Sequence, residues 1–337
     1  MSRTTIFTLL ITLFAGNIFA QIKTYKSIEE IRGEEDKVVK LSLIGQQLEA
    51  IPAEVFALKN LKFVSFKDNK IDSIPPEIGQ LKNLLYLDFT NNSINELPPE
   101  IGQLTNLRFL GLGNASSEAK VKFTGNKIEK LPDELFNLVN LEELDLSQLR
   151  IKKIPSMIGK LTNLKQLFIS SNLLEKLPAE IGKLNQLNNL GCSGNYLKKV
   201  PQELSNLTEL EWLWLGYNNL TSLPPEMAQL TKLKGIYLKN NLFTEIPKPI
   251  LGLPALTKLD LSRNNIKTLP DELNTMTQLE ILVLGDNQLI SIDNQLSNLS
   301  KLKRLDIRNN KIPPPQFRQL QTQLSGTKIL YNYKKER

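Results

Sequence analysis

The sequence predicts an elongated α/β solenoid in which short stacked units share one parallel sheet. Three observations carry this prediction. Leucines recur every 23 residues, a run of the form LxxLxL opens each unit, and an asparagine and then a Leu-Pro or Ile-Pro pair follow at constant offsets. An integer period held over most of a chain is the signature of a repeat architecture and leaves no room for a second domain.

Twelve units fill residues 38–324. The first begins at Val38, and the others begin at leucines 23 residues apart, except that one unit is 11 residues longer. These leucines are Leu61, Leu84, Leu107, Leu141, Leu164, Leu187, Leu210, Leu233, Leu256, Leu279 and Leu302. The extra residues form an insertion near 114–124, which fits a binding loop and a tolerated surface loop equally well.

The LxxLxL run predicts one short strand per unit. In a strand, successive side chains point to opposite faces, so the fourth and sixth positions enter the core while the third, fifth and seventh face outward. Strands of neighbouring units stack about 4.8 Å apart as a parallel sheet. The proline fixes φ and begins the return segment, whose greater bulk makes the sheet concave.

An asparagine occupies the ninth position of ten units, where its amide can satisfy loop backbone groups. These residues are Asn69, Asn92, Asn126, Asn172, Asn195, Asn218, Asn241, Asn264, Asn287 and Asn310. Gln46 can imitate the role in the first unit, whereas Leu149 cannot, so the ladder should be interrupted there. If the unit of Leu149 keeps the ladder geometry, Leu149→Asn should be neutral or stabilising.

The N-terminal end combines an export signal with a cap. Residues 1–20 have Arg3, an apolar run and a small residue at Ala20, which is typical of a signal peptide. Within residues 21–37, Ser27 and Glu30 predict a capping box and Gly33 a stop, so a short helix should cover the first strand.

The C-terminal end should also be covered, because an open solenoid end exposes core. Phe317, Leu320 and Leu324 share one helical face, and the segment TKILYNY predicts a last strand. Residues 325–337 are therefore interpreted as a C-terminal cap and tail.

The unit LxxLxLxxNxLxxLPxxIgxLxx resembles the leucine-rich repeat, over about 85% of the chain. With its proline, its length of 23 residues and a signal peptide, it most resembles secreted bacterial leucine-rich-repeat proteins, those of spirochaetes among them. The resemblance implies a right-handed horseshoe with a concave parallel sheet and short helical or irregular convex segments. It also implies a host protein or another surface component as partner.

The composition excludes several kinds of chemistry. The 337 residues carry a formal net charge of +7, one cysteine, Cys192, and no histidine. Without histidine there is no Ser-His-Asp or Cys-His catalysis and no histidine-bearing metal site. Cys192 stands at a sixth position and should be a buried small hydrophobe. We therefore expect a non-enzymatic monomer that needs no cofactor or metal.

Aromatic residues at the third and fifth positions form two clusters on the outward face of the sheet. The N-terminal aromatic cluster is Phe63, Tyr86 and Phe109; the central aromatic cluster is Phe168, Trp212, Trp214 and Tyr237, with Tyr217 at its rim. Both could simply stabilise the sheet laterally, but tryptophan and tyrosine are also the usual anchors of interfaces. Gly191, between Phe168 and Trp214, predicts a slot with aromatic walls, and Gly235 leaves space beside Trp212.

A basic edge follows the asparagines over four units. It consists of Lys130, Lys152, Lys153, Lys176, Lys198 and Lys199. A solvated edge is one interpretation, and docking of an anionic surface such as a sulfated glycan or an acidic protein is the other. Nucleic acid is disfavoured, because the outward face also carries aspartates, namely Asp88, Asp145, Asp260 and Asp306.

These features favour an exported binding protein that recognises a protein partner through its concave sheet. The alternative is an envelope- or matrix-associated structural protein that docks an anionic surface through the basic edge. Either function places the protein outside the cell or in the cell envelope, without a transmembrane anchor in the mature chain.

Overall fold

The computed structural model describes residues 22–114, 125–293 and 295–332. The predicted signal peptide and most of the insertion near 114–124 lie outside the described residues, as does the tail from residue 333. Fourteen strands in the described residues form one parallel sheet, with neighbours in sequence order throughout. The solenoid with one parallel sheet is thereby confirmed.

The strands are two or three residues long, and β2 to β13 sit at the predicted third to fifth positions of their units, whereas β1 precedes the first unit and β14 follows the last. They are β1 Thr24–Tyr25, β2 Lys40–Ser42, β3 Phe63–Ser65, β4 Tyr86–Asp88, β5 Phe109–Gly111, β6 Glu143–Asp145, β7 Gln166–Phe168, β8 Asn189–Gly191, β9 Trp212–Trp214, β10 Gly235–Tyr237, β11 Lys258–Asp260, β12 Ile281–Val283, β13 Arg304–Asp306 and β14 Lys328–Leu330. Paired residues are 23 apart from β2 to β5, as in Phe63↔Tyr86. Across the insertion, Phe109 pairs with Glu143, so the extra residues leave the register intact.

The return segment begins at a proline and continues as a short helix in every unit except that of Leu279, where the equivalent residues are Ser291, Ile292 and Asp293. Short 3₁₀ helices span Glu29–Ile31, Glu35–Lys37, Ala53–Ala57, Pro76–Gln80, Pro99–Gln103, Asp133–Asn137, Ser156–Lys160, Ala179–Lys183, Gln202–Asn206, Pro225–Gln229 and Asp271–Thr275, and the α-helices are α1, Lys248–Leu251, and α2, Pro314–Gln323. Pro178, for example, has φ −70° and directly precedes Ala179–Lys183, as its fixed φ predicts.

The core is the column of fourth and sixth side chains with the apolar residues of the return segments. Leu213 and Leu215 are fully buried, and Cys192 takes the equivalent place in its unit, also fully buried. Burial raises the pKa of the Cys192 thiol above its usual range. The cysteine is therefore a small core residue, as the sequence predicts.

The asparagine ladder is present and explains how the units hold their spacing. Asn218 Nδ2 donates to the carbonyls of Cys192 at 3.1 Å and Leu215 at 3.0 Å, and Asn218 Oδ1 accepts the Leu197 N–H at 3.1 Å. One amide thus links two neighbouring units, which satisfies backbone groups that water cannot reach.

The units without this asparagine, those of Gln46 and Leu149, adopt one shared alternative turn. Their tenth residues, Gln47 and Arg150, have φ of 59° and 70°. In the second of these units, the Leu149 and Ile151 N–H groups both donate to Asn172 Oδ1, each at 3.0 Å. The interruption at Leu149 is confirmed.

Leu149→Asn is expected to be neutral or stabilising only if its unit keeps the ladder geometry, and the alternative turn shows that it does not. The Leu149 side chain is fully buried in the core. Asn114, which the sequence did not single out, donates Nδ2 to the Gln148 carbonyl at 2.7 Å and to the Asn126 carbonyl at 2.9 Å. The site has repacked as an apolar one.

Gln46 imitates an asparagine only in part. Its side chain is exposed and its Nε2 donates to the Lys26 carbonyl of the preceding segment. At the same end, Ser27 Oγ accepts the Glu30 N–H at 3.3 Å, but Glu30 Oε2 accepts the Lys26 N–H, one residue before the predicted partner. The predicted short helix is a 3₁₀ turn, Glu29–Ile31, and a second 3₁₀ turn, Glu35–Lys37, follows it.

The C-terminal helix covers the last units. Leu320 and Leu324 are buried, and the Phe317 ring stacks on Tyr331 with centroids 4.0 Å apart. Strand β14 then pairs with β13 through Lys328 and Arg304. The apolar helical face and the last strand agree with the sequence prediction.

Candidate functional site

The two tryptophans lie side by side on the concave face of strand β9. Leu213 between them is fully buried, whereas Trp212 and Trp214 are both partly exposed. This alternation confirms that the third and fifth positions point outward.

Three rings of the central aromatic cluster, those of Trp212, Trp214 and Tyr237, form a continuous stack. The rings of Trp212 and Trp214 have centroids 6.3 Å apart at an interplanar angle of 20°. Trp214 stacks in turn on Tyr237, its partner in the β-sheet register, at 5.8 Å and 6°. Offset stacking at these distances is favourable, so the rings hold one another in place across β9 and β10.

Lysines border this stack. Lys258 Nζ lies 5.0 Å from the centroid of the Trp212 ring, and Lys239 Nζ lies 5.6 Å from that of Tyr217. Tyr217 is 42% exposed and has φ +56°, a left-handed backbone that is unusual for a bulky residue. The cluster is therefore bordered by lysines near Trp212 and Tyr217, and by Asp260 beside Tyr237.

The slot predicted over Gly191 is filled, which corrects the sequence-based expectation. A Cβ at Gly191 would lie 2.9 Å from Phe168 Cδ1, because the Phe168 ring leans over the glycine. At Gly235, a Cβ would lie 2.5 Å from Trp212 Cζ3. Each glycine is therefore covered by an aromatic ring from the preceding strand, Phe168 over Gly191 and Trp212 over Gly235, and neither leaves an open slot.

The N-terminal aromatic cluster is more tightly closed. Tyr86 stacks on Phe109 with centroids 4.2 Å apart at 8°, and Phe109 is only 9% exposed. Phe63 pairs with Tyr86 in the register of β3 and β4 and is partly exposed. Tyr86 is partly exposed, as the tryptophans are, so the difference in burial between the two clusters rests on Phe109.

Acidic groups lie beside the N-terminal aromatic cluster. Asp88 and Asp145 are 5% and 8% exposed. Burial, reinforced by the charges of Asp145 and Asp88, raises the pKa of Glu143 to about 8. Burial also raises the pKa of Asp88. Glu143 is therefore mostly protonated at neutral pH.

The fifth-position aspartates have a structural role that the sequence did not reveal. Asp88, Asp145 and Asp260 each accept the N–H of the residue two positions on, at 2.9 Å. Their carboxylates thereby satisfy backbone at the point where the strand turns into the loop. A signal was available in the spacing Asp-x-Ser/Thr, as in Asp145-Leu146-Ser147.

The basic edge is exposed along its whole length. The side chains of Lys130, Lys152, Lys153, Lys176, Lys198 and Lys199 are all exposed. Lys152 forms a long ion pair with Glu129 at 3.6 Å. Because these lysines follow the ladder position in four stacked units, their common edge follows from the register, and its role stays a prediction.

Within residues 22–114, 125–293 and 295–332, no group of three or more His, Cys, Asp or Glu side chains is arranged to hold a metal ion. In the same part of the chain, no helix combines the length and the apolar character needed to cross a bilayer.

Family models match nearly the whole described chain. The leucine-rich repeat region model matches residues 37–121 and 120–220, and the leucine rich repeat model matches 208–266 and 254–312. The chain belongs to the leucine-rich-repeat family, as the repeated unit predicted. No curated protein matches the chain.

Solved structures are similar over most of the chain. A leucine-rich-repeat protein of Leptospira interrogans is 28% identical, with 91% of this chain and 99% of that chain covered and a TM-score of 0.57. An internalin of Listeria monocytogenes, inlF, is 24% identical with 91% and 85% covered and a TM-score of 0.78, which shows the fold alone.

The third similar structure is a plant receptor. The ectodomain of the Arabidopsis thaliana receptor kinase GASSHO1/SCHENGEN3, in complex with CASPARIAN STRIP INTEGRITY FACTOR 2, is 29% identical with a TM-score of 0.70. The alignment covers 92% of this chain but only 40% of the receptor chain. The resemblance to bacterial leucine-rich-repeat proteins is thus supported together with a resemblance to receptor ectodomains.

Proposed function

We propose that the protein is an exported, non-enzymatic binding protein that recognises a protein partner, such as a host or cell-surface component, through its concave sheet. One observation carries the proposal: Trp212, Trp214 and Tyr237 form a continuous, partly exposed stack on that face. Large aromatic side chains left in contact with water on a shaped surface are the usual anchors of interfaces.

The relatives support a role in protein interaction. Leucine-rich-repeat folds are typically interaction scaffolds, and the similar plant receptor ectodomain was solved in complex with CASPARIAN STRIP INTEGRITY FACTOR 2. Export is supported by the sequence of residues 1–20.

The lysines around the cluster indicate which side chains a partner segment would present to it. Lys239 and Lys258 lie over the rings of Tyr217 and Trp212. A partner segment that places an apolar side chain on the stack and a carboxylate beside these lysines would gain both contacts. An acidic-apolar segment is therefore the favoured ligand chemistry.

The tryptophans themselves provide the measurement, because they are the only two in the chain. Peptides of 12 residues selected from a random displayed library on the wild-type protein should shift the tryptophan emission on binding. By calorimetry, Trp212→Ala and Trp214→Ala should each weaken binding about 30-fold or more, the loss typical of an interface anchor.

Phe63→Ala is the matched control, since it removes an aromatic residue from the same face but from the N-terminal aromatic cluster. It should change the affinity less than about threefold. Selected peptides that bind both tryptophan variants as tightly as the wild type would refute the concave aromatic site.

A second candidate function rests on the basic edge, where lysines at one position are exposed in four successive units, at Lys130, Lys153, Lys176 and Lys199. In this alternative, an envelope- or matrix-associated protein docks an anionic glycan or surface. Such binding should weaken steeply between 50 and 500 mM salt, and Lys153→Glu/Lys176→Glu should abolish it. Binding that is insensitive to salt and to this double substitution excludes the edge.

A further inference from the structure

Among the described residues, buried polar atoms without a hydrogen-bond partner lie on both sides of Phe168, and Thr90 Oγ1, at the seventh position that Ser170 also holds, is another such atom. Gln166 Oε1 and Ser170 Oγ are both enclosed and unpaired. Gln166 is 7% exposed and Ser170 is fully buried. Buried polar groups are almost always paired, so each exception points to strain or to a missing partner.

The side chain between them is seated on a glycine. Phe168 lies two residues after Gln166 and two before Ser170, and all three positions point to the concave face. A Cβ at Gly191 would lie 2.9 Å from Phe168 Cδ1 and 3.3 Å from Ser170 Oγ. The ring, the hydroxyl and the glycine therefore lie close together where strands β7 and β8 end.

Phe168 is only partly buried, in contrast to the two polar residues. Rotation of its side chain toward solvent would uncover the Gly191 backbone and bring Ser170 Oγ to the surface. No backbone movement is required, because side-chain rotamers exchange rapidly at exposed sites.

We propose that Phe168 is a movable cover over a peptide-binding slot, whose floor is Gly191 and whose polar atoms are Gln166 Oε1 and Ser170 Oγ. This inference rests on the proposed function, because it places the partner's main chain on the concave face next to the tryptophans. Gln166 Oε1 only accepts hydrogen bonds, whereas the Ser170 hydroxyl both donates and accepts. An extended peptide main chain, with its alternating N–H and C=O groups, complements this pair.

The opening of the cover can be tested without any ligand. Wild-type protein has a single thiol, at the buried Cys192. A Ser170→Cys variant treated with methyl methanethiosulfonate should react about tenfold faster than the wild type in native buffer, and adding Phe168→Ala should accelerate it about tenfold again. A rate equal to that of the wild type, with no effect of Phe168→Ala, overturns the movable cover.

The main-chain contact can be tested with the displayed peptides selected above. Gln166→Ala should weaken a bound peptide about tenfold, and Gln166→Glu, which keeps an accepting oxygen, should restore part of the loss. Replacing the backbone amides of the peptide one by one with esters should identify one N–H whose loss weakens binding to the wild type about tenfold but leaves binding to Gln166→Ala unchanged.

The two proposals fail in different ways. If the tryptophan variants lose the peptide while Gln166→Ala and Ser170→Ala bind it as the wild type does, the slot is wrong and the concave site stands. If no peptide shifts the tryptophan emission, the proposed function fails, and the peptide-binding part of this inference fails with it. The thiol reaction then decides only whether the cover opens.

Discussion

The two aromatic clusters occupy equivalent columns of one sheet, yet their surroundings differ. In the N-terminal aromatic cluster, Phe109 is 9% exposed and its neighbours are acidic residues with raised pKa values, such as Glu143. In the central aromatic cluster, the tryptophans are partly exposed and lysines lie over the rings. The comparison teaches that an aromatic column extends the core where its rings are buried, and leaves apolar rings in contact with water where they stay exposed.

The closed cluster should carry stability, and this is the largest effect we expect. Phe109→Ala removes a ring that stacks on Tyr86 and is almost inaccessible to solvent. It should lower the free energy of unfolding by about 3 kcal/mol. Trp214→Ala, on the open cluster, should cost about 1 kcal/mol, mostly lost stacking. Urea unfolding of both variants measures the difference, and equal losses would contradict the distinction.

The unit between the clusters contains Leu149, and it offers a second test. Because this unit has the alternative turn with Arg150 at φ 70°, an asparagine there would not find the ladder partners. Leu149→Asn should therefore lose about 2 kcal/mol of stability, from lost apolar contacts and a poorly paired amide. Asn218→Leu, the reverse change in a regular unit, is the control and should also destabilise. A neutral Leu149→Asn variant would show that the turn readily reverts to ladder geometry.

The raised pKa of Glu143 predicts that the free energy of unfolding is higher at acidic pH than at basic pH. The carboxyl group titrates near pH 8 when folded and near 4.5 when unfolded, so the folded state holds the extra proton between these values. Stability contributed in this way is present at pH 4.5 and declines as the pH rises through 8.

Glu143→Gln should remove much of this decline. The variant should match the wild type at pH 5 and exceed its stability at pH 9 by about 1–3 kcal/mol. Urea unfolding at pH 5, 7 and 9 provides the test, with Glu96→Gln at an exposed site as control. An identical pH profile for the wild type and Glu143→Gln would show that Glu143 is ionised at neutral pH.

The sequence predicted the fold almost completely, because its signal is periodic. The register of every unit, the buried Cys192 and the interruption at Leu149 follow from one 23-residue frame. The shared turn of the Gln46 and Leu149 units does not, since it depends on how Asn69 and Asn172 use their spare acceptor capacity.

The sequence predicts which face of the sheet carries the candidate site, but not how its aromatic rings are arranged. The third and fifth positions of a unit predict that Trp212, Trp214 and Phe168 face outward. They do not predict where a ring lies once its strand neighbour is glycine, because a glycine leaves room both for an empty slot and for the adjacent ring. At Gly191 and Gly235 the ring occupies the space, since stacking on backbone buries apolar surface that an empty slot would leave in water.

The smallest expected effect concerns the lysines of the open cluster. Lys258→Met removes a cation 5.0 Å from the Trp212 centroid while keeping the length of the side chain. The loss of stability should be about 0.5 kcal/mol, the size of an exposed cation–π contact, but the tryptophan emission should change because the local field on the indole changes. Lys239→Met is the matched control: it removes the same charge from over Tyr217, at 5.6 Å, and should leave the emission unaltered. An identical emission spectrum for wild type and Lys258→Met would mean that the ammonium group points into solvent, and the cationic border would then contribute nothing to the difference between the clusters.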